Sequence, residues 1–108
     1  MPSPLVHRYA VYAHLGEEGK VNRILSRATN LFMAVEGCLS AYQTTGHTGY
    51  LIEDQIRERT FVLERTTLLR LAFVRANDQG RYFELLNRLD RSGDQKSMES
   101  FLSENAPL

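Results

Sequence analysis

Three histidines, one cysteine and a pair of carboxylates one helical turn apart are the residues here with the chemistry to act on a substrate or hold an ion. His7 and His14 are seven apart, which on a helix puts them on one face but roughly 10 Å apart along the axis. A single ion takes ligands about one turn apart. No cysteine or carboxylate supplies the missing position, and His47 stands alone in a loop. No metal site and no cofactor is expected. Cys38 falls near the C-terminal end of a predicted helix, where the dipole disfavours a thiolate, so it reads as a structural thiol. Gly46-His47-Thr48-Gly49 has a G-x-x-G outline. A phosphate loop needs a longer spacing and a Lys followed by Ser or Thr. An RNA clamp of that form needs strands and basic residues around it. The segment reads as a turn.

The carboxylates belong to the stretch Tyr50 to Asn77, which reads as one long central helix. At 100° per residue Phe61, Val62, Leu68, Leu69, Ala72, Phe73 and Ala76 fall on one broad face. Asp54, Glu58 and Arg65 share that side, with Arg65 near its middle. A charge placed there needs a partner or must reach water along its stem. A Glu58–Arg65 bridge answers the first need, and a recognition contact is the alternative. Acid–base catalysis by the two carboxylates is the weakest reading, because no pocket is legible around them. A second stripe, Ile52, Ile56, Leu63, Thr67 and Val74, runs along the opposite side with Leu71 beside it. Two apolar faces imply a helix between layers or one that gives a face to another chain.

Around this rod the periodicities predict an all-α fold, a small bundle of four to five helices in one domain spanning residues 1–108. Ser3-Pro4 suits a helix start, and residues 5–15 read as helix. They alternate equally well as a strand, but Thr60 to Leu63 is the only evident partner and a lone hairpin is marginal. Val21, Ile24, Leu25, Ala28, Leu31, Phe32, Val35, Leu39 and Tyr42 step by threes and fours and predict a second helix. Ala34, Gly37 and Ala41 form a small-residue line on its other side. Gln43 to Gly49 is the main loop. A shorter helix from about Arg81 to Arg91 turns Tyr82, Phe83, Leu86 and Leu89 inward. Ser92-Gly93-Asp94-Gln95 has capping-box spacing and opens a last helix with Met98, Phe101 and Leu102 facing in. The tail 104–108 is expected to fray.

Thirteen basic residues balance thirteen acidic ones, for a net charge of zero. Phosphate binding draws on concentrated Lys and Arg, so a nucleic-acid surface is disfavoured. The central helix is too apolar to lie in a groove, and Glu84 and Asp90 on the next would oppose phosphates. No run approaches the ~20 apolar residues of a membrane span. MPSPLVHRYAV lacks signal-peptide features and one cysteine makes no internal disulfide, so a cytoplasmic location is expected. Without nucleophile, metal or cofactor loop, the chain reads as no enzyme but a protein-binding protein and homodimer. A small-ligand-binding helical domain is the alternative, ahead of a DNA-binding one. Tyr42, Tyr50, Phe61 and Arg65 are the expected partner contacts, because aromatic and Arg residues dominate interface hot spots. Ile52, Ile56, Leu63, Thr67 and Val74 are the expected dimer interface.

In length, helical texture and the segments VNRILSRATNLFMAVEGCL and FVLERTTLLRLAFVR, the chain resembles the small helical antiactivators of quorum sensing of the QslA type. The resemblance implies a cytoplasmic homodimer that regulates transcription. It would bind the ligand-binding domain of a LuxR-type transcription activator and block that activator's dimerisation and DNA binding. It carries over no binding residue.

Overall fold

The computed structural model describes residues 8–14, 20–45 and 49–106. Strands β1 (Tyr9–His14) and β2 (Lys20–Ala28) lead into helix α1 (Leu31–Thr45). Strands β3 (Gly49–Asp54) and β4 (Arg59–Glu64) follow, then helices α2 (Arg65–Asn77), α3 (Gln79–Arg91) and α4 (Gln95–Asn105). The strands form one antiparallel sheet in the order β2-β1-β3-β4. The all-α helical bundle expected from the sequence is therefore corrected to a mixed α/β fold. The predicted start at Ser3-Pro4 and the candidate residues His7 and His47 lie outside the described residues.

The expected central helix breaks into a hairpin and a helix. From Tyr50 to Asp54 and from Arg59 to Glu64 the burial alternates, with Tyr50, Ile52, Asp54, Phe61 and Leu63 inside. That is the period of a strand. Register confirms the shared face: Tyr50 pairs Leu63, Ile52 pairs Phe61 and Asp54 pairs Arg59. No Gly or Pro marks the turn. Asp54 Oδ1 accepts the Ile56 and Arg57 amides at 3.1 and 3.2 Å, and Glu58 takes a positive φ of 52°.

The expected second helix also divides. Asn30 Oδ1 accepts the Met33 amide at 2.8 Å, an N-cap that starts α1 there. Lys20 to Ala28 before it is strand. β2 spans nine residues against six in β1, and its register slips between Val11 and Tyr12 and again before His14. Such bulges, with Lys20, Arg23 and Arg27 and no acid in the strand, blunt an edge against pairing. The other edge, β4, is covered differently: the Gln95 amide bonds both the N–H and the C=O of Val62.

One apolar cluster joins the sheet to the helices. Tyr9, Val11, Tyr50, Ile52, Phe61 and Leu63 meet Val35, Cys38, Leu68, Leu71, Tyr82, Leu86, Met98 and Leu102. All four helices thus cover the same face of the sheet. α3 and α4 match expectation closely: Asp78 and Asp94 cap them, and Tyr82, Leu86, Leu89, Met98 and Leu102 point inward. Phe83 does not. It lies 44% exposed and stacks on Phe32 at 4.6 Å. α4 includes Glu104 and Asn105, and Ala106 is buried against the cluster.

Two substitutions test the backbone. A Cβ on Gly37 would meet nothing within 4 Å, so Gly37→Ala is predicted to stabilise by about 0.5–1 kcal/mol in urea unfolding. At Gly49 a Cβ would sit 2.9 Å from the Leu63 carbonyl oxygen. Gly49→Ala should lower the urea midpoint, because a strand backbone must move to admit it.

Candidate interaction surface

The densest group of charges lies where β1, the β3–β4 turn and the end of α3 meet. Asp54 is buried. Arg8 donates to it from Nε at 3.0 Å and from Nη2 at 2.9 Å, and Arg59 Nε donates at 2.9 Å. With the two turn amides the carboxylate accepts five bonds. Burial alone would raise its pKa, but the Arg8 and Arg59 bonds and then the backbone amides outweigh it and hold the group at about 2, against an ordinary 3.8. Both guanidinium groups also reach the end of α3. The Asp90 carbonyl accepts from Arg8 at 2.8 Å and from Arg59 at 3.3 Å, and the Gly93 carbonyl accepts from Arg59 at 2.7 Å. Asp90 Oδ1 in turn accepts the Tyr9 hydroxyl at 2.7 Å and the Leu31 amide at 2.9 Å. Burial and the Asp90 bond push the Tyr9 hydroxyl far above the usual tyrosine range.

This network fastens rather than reacts. Each guanidinium is committed to carboxylate and carbonyl oxygens, and Asp54 has no lone pair facing solvent. A second group, Tyr82 to Glu36 at 2.8 Å and Arg75 to Glu36 at 3.1 Å, ties α3, α1 and α2 together in the same way. Cys38 is buried in the core, and burial pushes its thiol up to about 12. Among the described residues no group of three His, Cys, Asp or Glu side chains could hold a metal ion. No helix among them is long and apolar enough to cross a membrane.

Exposed large apolar side chains lie on β2 (Ile24, Leu25), at the hairpin turn (Ile56) and on the helices, where Leu69 and Phe73 stand one turn apart. α2 turns Leu68, Leu71 and Val74 to the core. At 100° per residue Leu69, Ala72, Phe73 and Ala76 fall on the opposite side. Leu69 is 43% and Phe73 38% exposed, and Ala76 is exposed beside them. Arg65 is the one charged residue of that outward side. The outward side of α1 carries Met33, 53% exposed, with Gly37, Ser40 and Thr44, none of them charged. An open groove of about 410 Å³ lies between the two helices, lined by Gln43, Ala72, Arg75, Ala76 and Gln79. The outward sides of α3 and α4 differ: they show Arg81, Glu84, Arg88 and Arg91, then Lys96, Glu99 and Glu104. Depletion of charge at the centre of a surface is the compositional mark of an interface.

The residues singled out by sequence are scattered by the fold. Tyr50 and Phe61 are core residues of the sheet. Tyr42 is half-buried against the same cluster. Arg65 is exposed at the first position of α2. Of the expected dimer stripe, Ile52, Leu63 and Val74 are buried, Thr67 is half-buried on α2, and Ile56 is 48% exposed at the hairpin turn. The broad apolar face read from the sequence divides in α2: Leu68 lies in the core with Leu71 and Val74, Ala72 packs half-buried against it, and Leu69 and Phe73 face out. Arg65 in the middle of the broad face was the signal for this, since a cation marks a solvent side. Glu58 and Arg65 belong to the turn and to α2, not to one helix.

No protein-family model, curated protein or solved structure matches the chain.

The network yields a pH prediction. A carboxyl held at about 2 contributes ~2–3 kcal/mol above its ordinary pKa, and loses it as pH falls from about 4 through 2. Asp54→Asn leaves two largely buried guanidinium groups without their counter-charge and should cost ~3–5 kcal/mol at neutral pH. The gap between wild type and Asp54→Asn, read by urea unfolding, should narrow as pH drops from 4 to 2. A gap that stays constant over that range would mean Asp54 is not the titrating group.

Proposed function

We propose that this chain is a non-catalytic regulatory protein that binds another protein through the outward surface of α1 and α2 that carries Leu69 and Phe73. The observation that carries the reading is the double-sided character of α2. Leu69 and Phe73 stand one turn apart on its solvent side, although Leu68, Leu71 and Val74 already satisfy the core. Large apolar side chains grouped beside a groove mark recognition sites more often than they mark chance exposure. The bonding of Asp54, Arg8 and Arg59 to one another and to backbone carbonyls supports a structural rather than a catalytic role for that network. The specific form of the proposal is an antiactivator. Its apolar helices would cover the dimerisation surface of a LuxR-type transcription activator, which needs a pre-formed patch and no reactive group.

Binding of the purified ligand-binding domain of such an activator, measured by calorimetry, tests the specific form. Phe73→Asp and Leu69→Asp should keep the wild-type circular dichroism, because both side chains already meet water, and weaken binding at least about tenfold. Leu63→Asp, buried in the core, should instead unfold the chain. Undiminished binding by folded Phe73→Asp and Leu69→Asp proteins would remove the surface from the account.

A further inference from the structure

The β4 edge is closed by a side chain that imitates backbone. The Val62 amide donates to Gln95 Oε1 at 2.7 Å, and Gln95 Nε2 donates to the Val62 carbonyl at 2.9 Å. In an antiparallel ladder two directly opposed residues exchange this same pair of bonds. Gln95 thus occupies the place of one residue in a fifth strand. We propose that Gln95 is a plug on the sheet, and that the strand it keeps out is β4 of a second copy of this chain.

Register and charge select that occupant. Val62 presents both its N–H and its C=O outward, so a two-fold axis through it lets the two Val62 residues bond each other reciprocally. Within β4 Thr60 then lies opposite Glu64 of the second copy, twice, and Phe61 opposite Leu63, so no like charges within the strand face one another. Thr60 and Glu64 are both exposed. The β2 edge offers no such match, since its three basic residues and two register slips oppose self-pairing. Gln95 lies in the first turn of α4, just after Gly93 at φ 108°, while Met98 and Leu102 anchor the rest of the helix in the core. The inference stands apart from the α1–α2 surface, which lies on other elements.

Gln95→Ala removes both bonds, and Gln95→Leu removes them while keeping the bulk of the side chain. Sedimentation equilibrium from micromolar to sub-millimolar concentration should show the mass of Gln95→Ala doubling relative to wild type. The Val62 amide, which loses its acceptor in the variant, should regain exchange protection only where the mass has doubled. If Gln95→Ala does not fold, Gln95→Leu supplies the same readout. Register is tested in the Gln95→Ala background. Thr60→Lys should tighten the dimer by meeting Glu64, and Thr60→Glu should weaken it, with about tenfold or more between the two. Wild-type mass at every concentration with a freely exchanging Val62 amide overturns the proposal. Equal association of the Lys and Glu variants overturns it as well.

Discussion

A single carboxylate in the interior sets the terms for the rest of this fold. Asp54 ends β3, and burying it demands cations and amides within bonding distance. Arg8 arrives from the start of β1, Arg59 from β4, and the turn amides from Ile56 and Arg57. Because the two guanidinium groups have bonds to spare, they also hold the carbonyls that end α3 and lead to α4. One buried group thereby fixes the hairpin turn, its pairing with β1 and the docking of the C-terminal helices. Asp90 extends the same logic by holding the first amide of α1.

That fastening decides how apolar surface is shared out. With the helices confined to one face of the sheet, α2 packs inward through Leu68, Leu71 and Val74, and Glu36 and Arg75 pin it to α1. Its remaining residues include Leu69 and Phe73, for which the core has no room. The sheet edges are closed by separate means, bulges and basic residues at β2 and the Gln95 amide at β4. The apolar pair Leu69 and Phe73 on the outward side of α2 lies away from both edges.

Much of the C-terminal third was legible in the sequence. The step from Met98 to Leu102 reads as an amphipathic helix, and Tyr82, Leu86 and Leu89 read as a core face; both are observed. Asp94, however, caps the last helix in place of the expected Ser92–Gln95 box, with Ser92 ending α3 and Gln95 bonding Val62. The N-terminal two thirds misled for physical reasons. Val21, Ile24, Leu25 and Ala28 fit helical spacing, yet they lie in a bulged edge strand where strict alternation is broken. The β3–β4 hairpin lacks Gly and Pro because Asp54 supplies the turn's hydrogen bonds and Glu58 accepts a positive φ. The burial of Asp54 has no local signature, since Arg8, which meets it, is 46 residues away. The two opposed apolar stripes of Tyr50 to Asn77 were a real signal with two origins. In the strands the two stripes merge, since Phe61 of one and Ile52 and Leu63 of the other share the buried face, and in α2 Leu68 goes inside with Leu71 and Val74 while Leu69 and Phe73 stay out. Sequence spacing could not say which side of α2 was inner, because that depends on where the sheet lies.

The central claim is that α2 has one apolar side in the core and another in water. Nuclear magnetic resonance of the free protein with a soluble paramagnetic probe reads this directly. The account predicts strong broadening of the Leu69 methyls and the Phe73 ring, with the methyls of Leu68, Leu71 and Val74 unaffected. Equal protection of Leu69 and Phe73 in the unbound chain would contradict it, since that side of α2 would then already be covered by the protein itself.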